Sequence, residues 1–300
     1  MKKNIGAIYI LIAGFFWGFM GVFSNLLQDE GFNPMECATL RIVAASLIFL
    51  IYTAIFSAKS LKIKAKSIPL LAATGCIGVA LMSVCYITAI DLTSLSVAAV
   101  LLYTSPVWVM IMASIFLKDK FTAKKAIAAV LAFAGCAFIT GFGKVKISFG
   151  FFVGICAGIT YASYSIFSSF ALKKYEPLTV TCYAFLFGAV FMLIIGDIPG
   201  ILQKIILSGN VWKTLLLSSA TGLFTAVLPF LLYTKGLSTT NAGKAAVLAC
   251  IEPVTASLLG MVIYNEKLNL IGIILIFSAI LMLQMANTDI NLVDNRDKKG

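Results

Sequence analysis

Apolar runs of span length alternate with short polar junctions from the start of the chain to Ala286. Crossing a hydrocarbon core of about 30 Å takes roughly 20 residues of helix. Ten runs meet that length, with approximate limits 5–27, 35–57, 69–90, 95–117, 123–142, 148–170, 178–199, 212–234, 243–264 and 268–286. The junctions carry breakers and charges: QDEGFNP, AKSLKIKAKSIP, DLTS, KDKFTAKK, GFGKVKIS, KKYEP, the Gly/Pro-containing GDIPGILQKIILSGN, KGLSTTNAGK and YNEKLN. DLTS and YNEKLN are so short that the helices they join must be antiparallel neighbours. The tail over 287–300 is polar and reads as disordered.

Within this pattern, the stretch from Ala242 to Asn269 departs from plain apolarity by carrying Glu252 and Pro253 near its middle. A carboxylate inside a membrane helix is costly and marks a candidate functional site. The proline has no amide to donate, so the carbonyl of Ala249 loses its helical partner, and a broken helix at membrane depth lines a cavity. The same frame occurs 147 residues earlier: Tyr86, Ala98, Ala99, Pro106 and Asp119 fall opposite Tyr233, Ala245, Ala246, Pro253 and Glu266. Gly6, Ala13, Gly14, Phe23 and Ser24 of helix one recur 144 residues on as Gly150, Ala157, Gly158, Phe167 and Ser168 of helix six. Each copy holds five helices, an odd number, so the second enters the membrane from the opposite side. The sequence therefore predicts an all-α membrane protein of ten transmembrane helices in two inverted five-helix repeats, 1–143 and 148–286, followed by a polar cytoplasmic tail.

Composition agrees: 61% of the 300 residues are hydrophobic, 12% are charged, and the mean hydropathy is +1.02. The net charge of +11 does not point to nucleic acid, because the lysines sit in short loops. Placing both termini in the cytoplasm puts 17 basic residues inside and 5 outside, with Arg41 left within a span. That asymmetry orients the chain by the positive-inside bias and favours the plasma membrane as its site. The basic N-terminus resembles a signal sequence, but its apolar run is of span length and reads as a retained helix. Histidine is absent, and the seven cysteines lie within apolar spans without paired spacing, so no metal site, cofactor or disulfide is expected. An enzyme is disfavoured.

Among candidate site residues, Glu252 lies roughly 13 Å into its helix by helical rise. It could hold a cationic group of a substrate or exchange a proton as a coupling ion; a structural carboxylate bonded to a neighbouring helix is the alternative. Lys244, two turns earlier, either snorkels to the interface or gates the substrate. Arg41, six residues into helix two, could bind a substrate carboxylate, pair with Glu36, or snorkel outward. Trp17, Tyr86, Tyr103, Trp108, Tyr161, Tyr164 and Tyr233 offer a cavity lining with polar tips, or else packing and interfacial anchors. Trp17 and Tyr161 are repeat equivalents that would face one another across the pseudo-two-fold axis. Pro106 and Pro253 mark the helix breaks, and the glycines at 14, 18, 150, 154 and 158 are spaced for close helix contact.

These residues resemble the drug/metabolite transporter superfamily, and within it the EamA family of two tandem five-helix units. The resemblance covers nearly the whole chain. It rests in the second copy on Tyr233, Gly236, Lys244-Ala245-Ala246, Glu252-Pro253-Val254, Glu266, Leu268 and Gly272, and in the first on Trp17, Arg41, Tyr86 and Pro106-Val107. The chain departs from the family pattern at Asp119, where glutamate is usual, and carries Ser105 where the second copy has Glu252. The resemblance implies ten helices around a central cavity and transport, commonly export, of small metabolites such as amino acids or drugs. No nucleotide-binding loop of the Walker type is present. The expectation is a secondary transporter in the lipid bilayer with a small-molecule substrate. Uptake of an amino acid or carboxylate, and a non-transporting membrane scaffold, are the alternatives; the scaffold has no use for mirrored broken helices.

Overall fold

The computed structural model describes the backbone of residues 2–119, 122–141, 147–207 and 210–296. Lys120, Lys144, Lys146, Lys298 and Lys299 of the charge asymmetry lie outside the described residues. Among the described residues, nine helical spans are long and apolar enough to cross a bilayer: Ile5–Asp29, Pro34–Phe56, Ala65–Leu92, Leu95–Phe116, Ala123–Thr140, Phe149–Ala171, Pro177–Ile195, Val211–Leu237 and Ala242–Tyr264. A tenth helix, Leu270–Arg296, is apolar over Leu270–Leu283 and completes the set. It continues into the polar segment after Ala286, where composition predicts disorder. Helical backbone is the expected result in lipid, where every amide must find its partner within the chain.

The spans start where the sequence supplies caps. Asn33 accepts from the Glu36 amide at 2.9 Å while Glu36 accepts from the Asn33 amide at 2.7 Å, a reciprocal box that opens span two. Asn241 caps span nine through the Lys244 amide at 2.9 Å. One element departs from the hydropathy pattern: Ile198–Leu207 is a separate short helix, within a stretch that reads as a junction. Asp197 Oδ1 accepts from the Gly200 amide at 3.0 Å and starts it, and Ile201 buries against Leu27, Phe32 and Cys37. Span seven consequently ends at Ile195, four residues before the hydropathy limit.

Inverted repetition is visible in backbone detail. The third span of each copy carries a π-helical turn, at Cys76–Leu81 and at Leu223–Val227, in the 147-residue frame. The fourth span of each copy breaks, between Leu102 and Ser105 and at Cys250. Beyond that span, Lys118 and Asn265 adopt left-handed φ of 55° and 54°. The following amides, Asp119 and Glu266, then bond back to Ala113 and Gly260 at 3.1 and 3.2 Å. Packing follows the same symmetry: span one lies on span eight as span six lies on span three, while spans two and seven, and five and ten, pair across the axis.

Each break is seated on a glycine of the other repeat. A Cβ on Gly158 of span six would stand 2.6 Å from Thr104 Oγ1 and 2.8 Å from the Leu101 carbonyl. One on Gly14 of span one would stand 3.1 Å from the Ala249 carbonyl and collide with the Ile251 side chain. Gly14 and Gly158, and residues 251 and 104, are repeat equivalents. Gly21, also in span one, has open space around it. Gly14→Ala and Gly158→Ala should therefore each cost ~1–3 kcal/mol through overpacking, lowering the melting temperature in detergent. Gly21→Ala should leave it unchanged or raise it; equal melting of all three variants would remove the seating argument.

Candidate functional site

The broken spans and spans one, two, three and six enclose a cavity of about 680 Å³, within the range of small-molecule sites. Its rim is polar and comes from helix ends on one face of the bundle: Asn25, Gln28, Ser96, Thr140, Glu266 and Lys267. The lining includes no residue from the opposite helix ends, so among the described residues the cavity is open at one end. This open face is the one away from the start of span one.

Towards the closed end, spans six and eight are locked by two buried hydroxyl pairs. Tyr164 Oη and Thr234 Oγ1 are 2.8 Å apart, and Ser165 Oγ and Tyr233 Oη are 2.7 Å apart. Phe230 and Trp17 complete the plug, with ring centroids 5.1 Å apart, and Tyr164 meets Phe230 edge to face at 5.0 Å.

Glu252 lines the cavity, is 9% exposed, and accepts a hydrogen bond from Tyr103 Oη at 3.3 Å. The break at Cys250 restarts the helix at Ile251, which puts Glu252 in the first turn of the second half, where the helix dipole favours a negative charge. Tyr161 and Arg41 line the same cavity as this carboxylate. Tyr103 sits at the break of span four, so the two halves of the repeat present their breaks to one another across the cavity.

Arg41 stands nearer the mouth, on span two, and is 8% exposed. It neither snorkels nor pairs with Glu36, whose carboxylate is taken by Lys204 Nζ at 2.6 Å. Its own partners are the sulfur of Met20, 3.0 Å from Nη1, and Ser83 Oγ, 3.3 Å from Nη2. Ser83 donates to the Val79 carbonyl at 2.9 Å, so the π-helical turn of span three aims its lone pair at the guanidinium.

Among the other residues predicted from the sequence, Trp17, Tyr86, Tyr103 and Tyr161 line the cavity, and Trp17 and Tyr161 meet edge to face at 6.3 Å. Pro253 lines it too, but Pro106 is buried outside it. Tyr233 does not reach the cavity, because it lies behind Trp17, 5.3 Å between ring centroids, with its hydroxyl on Ser165. Tyr164 is likewise part of the lock, and Trp108 bonds Thr104 Oγ1 at 3.1 Å. Lys244 is 6% exposed and does not line the cavity; the first turn of span nine is enclosed by neighbouring spans, so it does not snorkel. Sequence reading misses Met20, Ser83 and Phe230. The repeat frame makes Ser83 the counterpart of Phe230, and both line the cavity, but their facing follows spans with π-helical turns that leave no mark on hydropathy.

A family model described as the EamA-like transporter family matches residues 4–141 and 148–285, one match per repeat. The chain is 28% identical to the uncharacterized transporter YwfM of Bacillus subtilis (strain 168), over 95% of this chain and 96% of that one. It is 25% identical to an uncharacterized transporter of Clostridium kluyveri, over 92% and 91% of the two chains. One crystal structure shares the fold with a TM-score of 0.75 at 15% identity, covering 96% of this chain and 98% of the other.

The one-ended cavity makes a direct prediction about reagent access. With the seven native cysteines replaced, Ser83→Cys and Ala256→Cys should react rapidly with a water-soluble thiosulfonate, whereas Thr234→Cys, on the closed side, should resist it. Equal reaction rates would show that the closed end is not sealed.

Proposed function

The chain belongs to the EamA-like transporter family, and from that premise we propose that it is a secondary transporter that exports small organic metabolites, such as amino acids or drugs, by alternating access. The observation that carries the reading is a cavity open at one end and locked at the other, with a carboxylate on its floor and a broken helix in each repeat. The excess of basic residues on one side, 17 against 5, supports a cell-membrane orientation with both termini in the cytoplasm. In that orientation the cavity opens to the outside. Export as the working direction is carried over from the family resemblance.

Alternating access has a specific form in an inverted repeat, because each repeat can adopt the conformation the other holds. In the 144- and 147-residue frames, the lock residues Tyr164 and Ser165 of span six correspond to Met20 and Gly21 of span one. Tyr233 and Thr234 of span eight correspond to Tyr86 and Ile87 of span three. All four counterparts line the open cavity. Exchange of the two conformations closes the mouth by bringing Met20 and Gly21 onto Tyr86 and Ile87, while the Tyr164–Thr234 and Ser165–Tyr233 pairs part. The hydroxyl pairs are suited to this role: each is worth only ~1 kcal/mol net, so two can be exchanged without a large barrier. In a cysteine-free background, Met20→Cys with Ile87→Cys, the counterparts of the Tyr164–Thr234 pair, should be cross-linked by a short bis-thiosulfonate during turnover. The cross-linked protein should stop transporting and should expose Thr234→Cys to reagents. A cross-link that leaves transport unchanged would contradict this closure.

Glu252 is the group at which a coupling proton or a cationic part of the substrate is held; its burial, its position in a first helical turn and its tyrosine partner support this role. In proteoliposomes, Glu252→Gln should abolish acceleration of transport by a pH gradient while keeping binding if the carboxylate carries the proton. If it pairs with a cationic substrate group, binding itself should fall. A Gln variant that is less stable in detergent yet transports with normal pH dependence would remove Glu252 from the mechanism.

A further inference from the structure

We propose that the basic face formed by the chain from Ser57 to Ser67, together with the junction between spans six and seven, binds the phosphate headgroup of an anionic phospholipid. The first of these segments joins the apolar parts of spans two and three, and it is clasped to the second repeat. Thr179 Oγ1 donates to the Ser60 carbonyl at 2.9 Å, and Tyr183 Oη donates to the Leu61 carbonyl at 2.7 Å. The Tyr175 hydroxyl accepts from the Lys64 amide at 3.1 Å and donates to Ser67 Oγ at 2.9 Å. Two short 3-10 turns, Ala58–Leu61 and Ala65–Ser67, fill the rest of the segment.

The clasped backbone decides where the lysines point. Lys62 and Lys64 are extended, with ψ of 109° and 137°, so their side chains leave on the face opposite to Ile63. Ile63 packs against the cluster of Leu71, Ala171 and Val180, and both lysines are left exposed. Lys59 and Lys66 of the same segment, and Lys173 and Lys174 of the junction, are exposed as well. Against these six cations the two segments supply one acid, Glu176. Among the described residues none of the six is in an ion pair, whereas Lys125, Lys204 and Lys213 each hold a carboxylate. The surplus charge is therefore available to a ligand, and it is drawn from both repeats.

The position of the face selects the ligand. Ile55 and Phe56 in the last turn of span two, and Ile68 at the start of span three, are exposed apolar side chains flanking the lysines. In a bilayer such side chains meet acyl chains, so the charges next to them stand at the depth of the lipid phosphates, which lysine ammonium groups attract. An acidic protein would have to displace that headgroup layer, whereas an anionic lipid belongs to it. Holding the backbone in advance removes part of the ordering cost that a flexible basic loop meets on binding. In the orientation proposed above this face is cytoplasmic, the side on which anionic lipids give the membrane its negative surface potential. Binding itself depends neither on that orientation nor on transport.

The test titrates the full chain in detergent with phosphatidylglycerol, phosphatidylcholine and inorganic phosphate, and reads the bound species by native mass spectrometry. Wild-type protein should prefer phosphatidylglycerol to phosphatidylcholine by at least about tenfold, the worth of ~1.4 kcal/mol. Lys62→Gln with Lys64→Gln should lose most of that preference. Lys235→Gln with Lys267→Gln removes the same charge from exposed positions elsewhere and should keep it. Glu176→Gln, which deletes the one acid of the face, should tighten phosphatidylglycerol binding. The proposal is overturned if the two lipids bind alike, as a face built for an acidic protein would show, or if both lysine pairs lose the preference equally, the mark of net charge alone. Displacement of the lipid by inorganic phosphate at equal concentration, or weaker lipid binding in Glu176→Gln, would overturn it too.

Discussion

The rest of the structure depends on the close approach of a glycine to a broken helix, made twice. In a bilayer, apolar side chains gain nothing by leaving lipid for one another, so helices associate through close packing and hydrogen bonds. Gly14 and Gly158 remove the side chain that would keep spans one and six from the breaks of spans nine and four. The break can then be tolerated at membrane depth, because its backbone lies against protein rather than lipid. With the break in place, the chain turns Glu252 and Tyr103 inward from facing spans, and the cavity forms between them.

A symmetric frame carries an asymmetric site. Glu252 has Ser105 as its counterpart, Ser83 has Phe230, and the Trp17–Tyr161 pair joins an indole to a phenol. Glu252 brings a charge where the first repeat has a serine, and Phe230 brings an aromatic ring where the first repeat has Ser83. The backbone rules of the two repeats are shared down to the left-handed residues at 118 and 265, while the chemistry facing the cavity is not. A site of this kind keeps one shared backbone frame while presenting different chemistry from each repeat.

The hydroxyl pairs beyond Phe230 close one end of the cavity. Their four residues are buried and paired in the closed half, and their counterparts stand open in the other. Such small polar contacts between close helices are each worth only ~1 kcal/mol net.

The ten spans, the two repeats and the breaks at Pro106 and Pro253 were legible in the sequence. Each depends on a local physical rule: the apolar length that crosses a bilayer, the odd helix count of each copy, and the missing amide of proline. The acid at Glu252 was legible for the same reason, since a carboxylate that far inside an apolar run is conspicuous. The helix at Ile198–Leu207 was obscured by its flanking Gly and Pro, and the tail's helical backbone by its polar composition. Tertiary structure alone decided which side chains reach the cavity. Tyr233 and Lys244 share the motifs of cavity residues but turn into protein, whereas Ser83 and Met20 carry no motif and hold Arg41. The physical reason is that the facing of a membrane helix is set by its rotation. That rotation follows from π-helical turns and glycine contacts made with distant spans, which a linear pattern of hydropathy does not record.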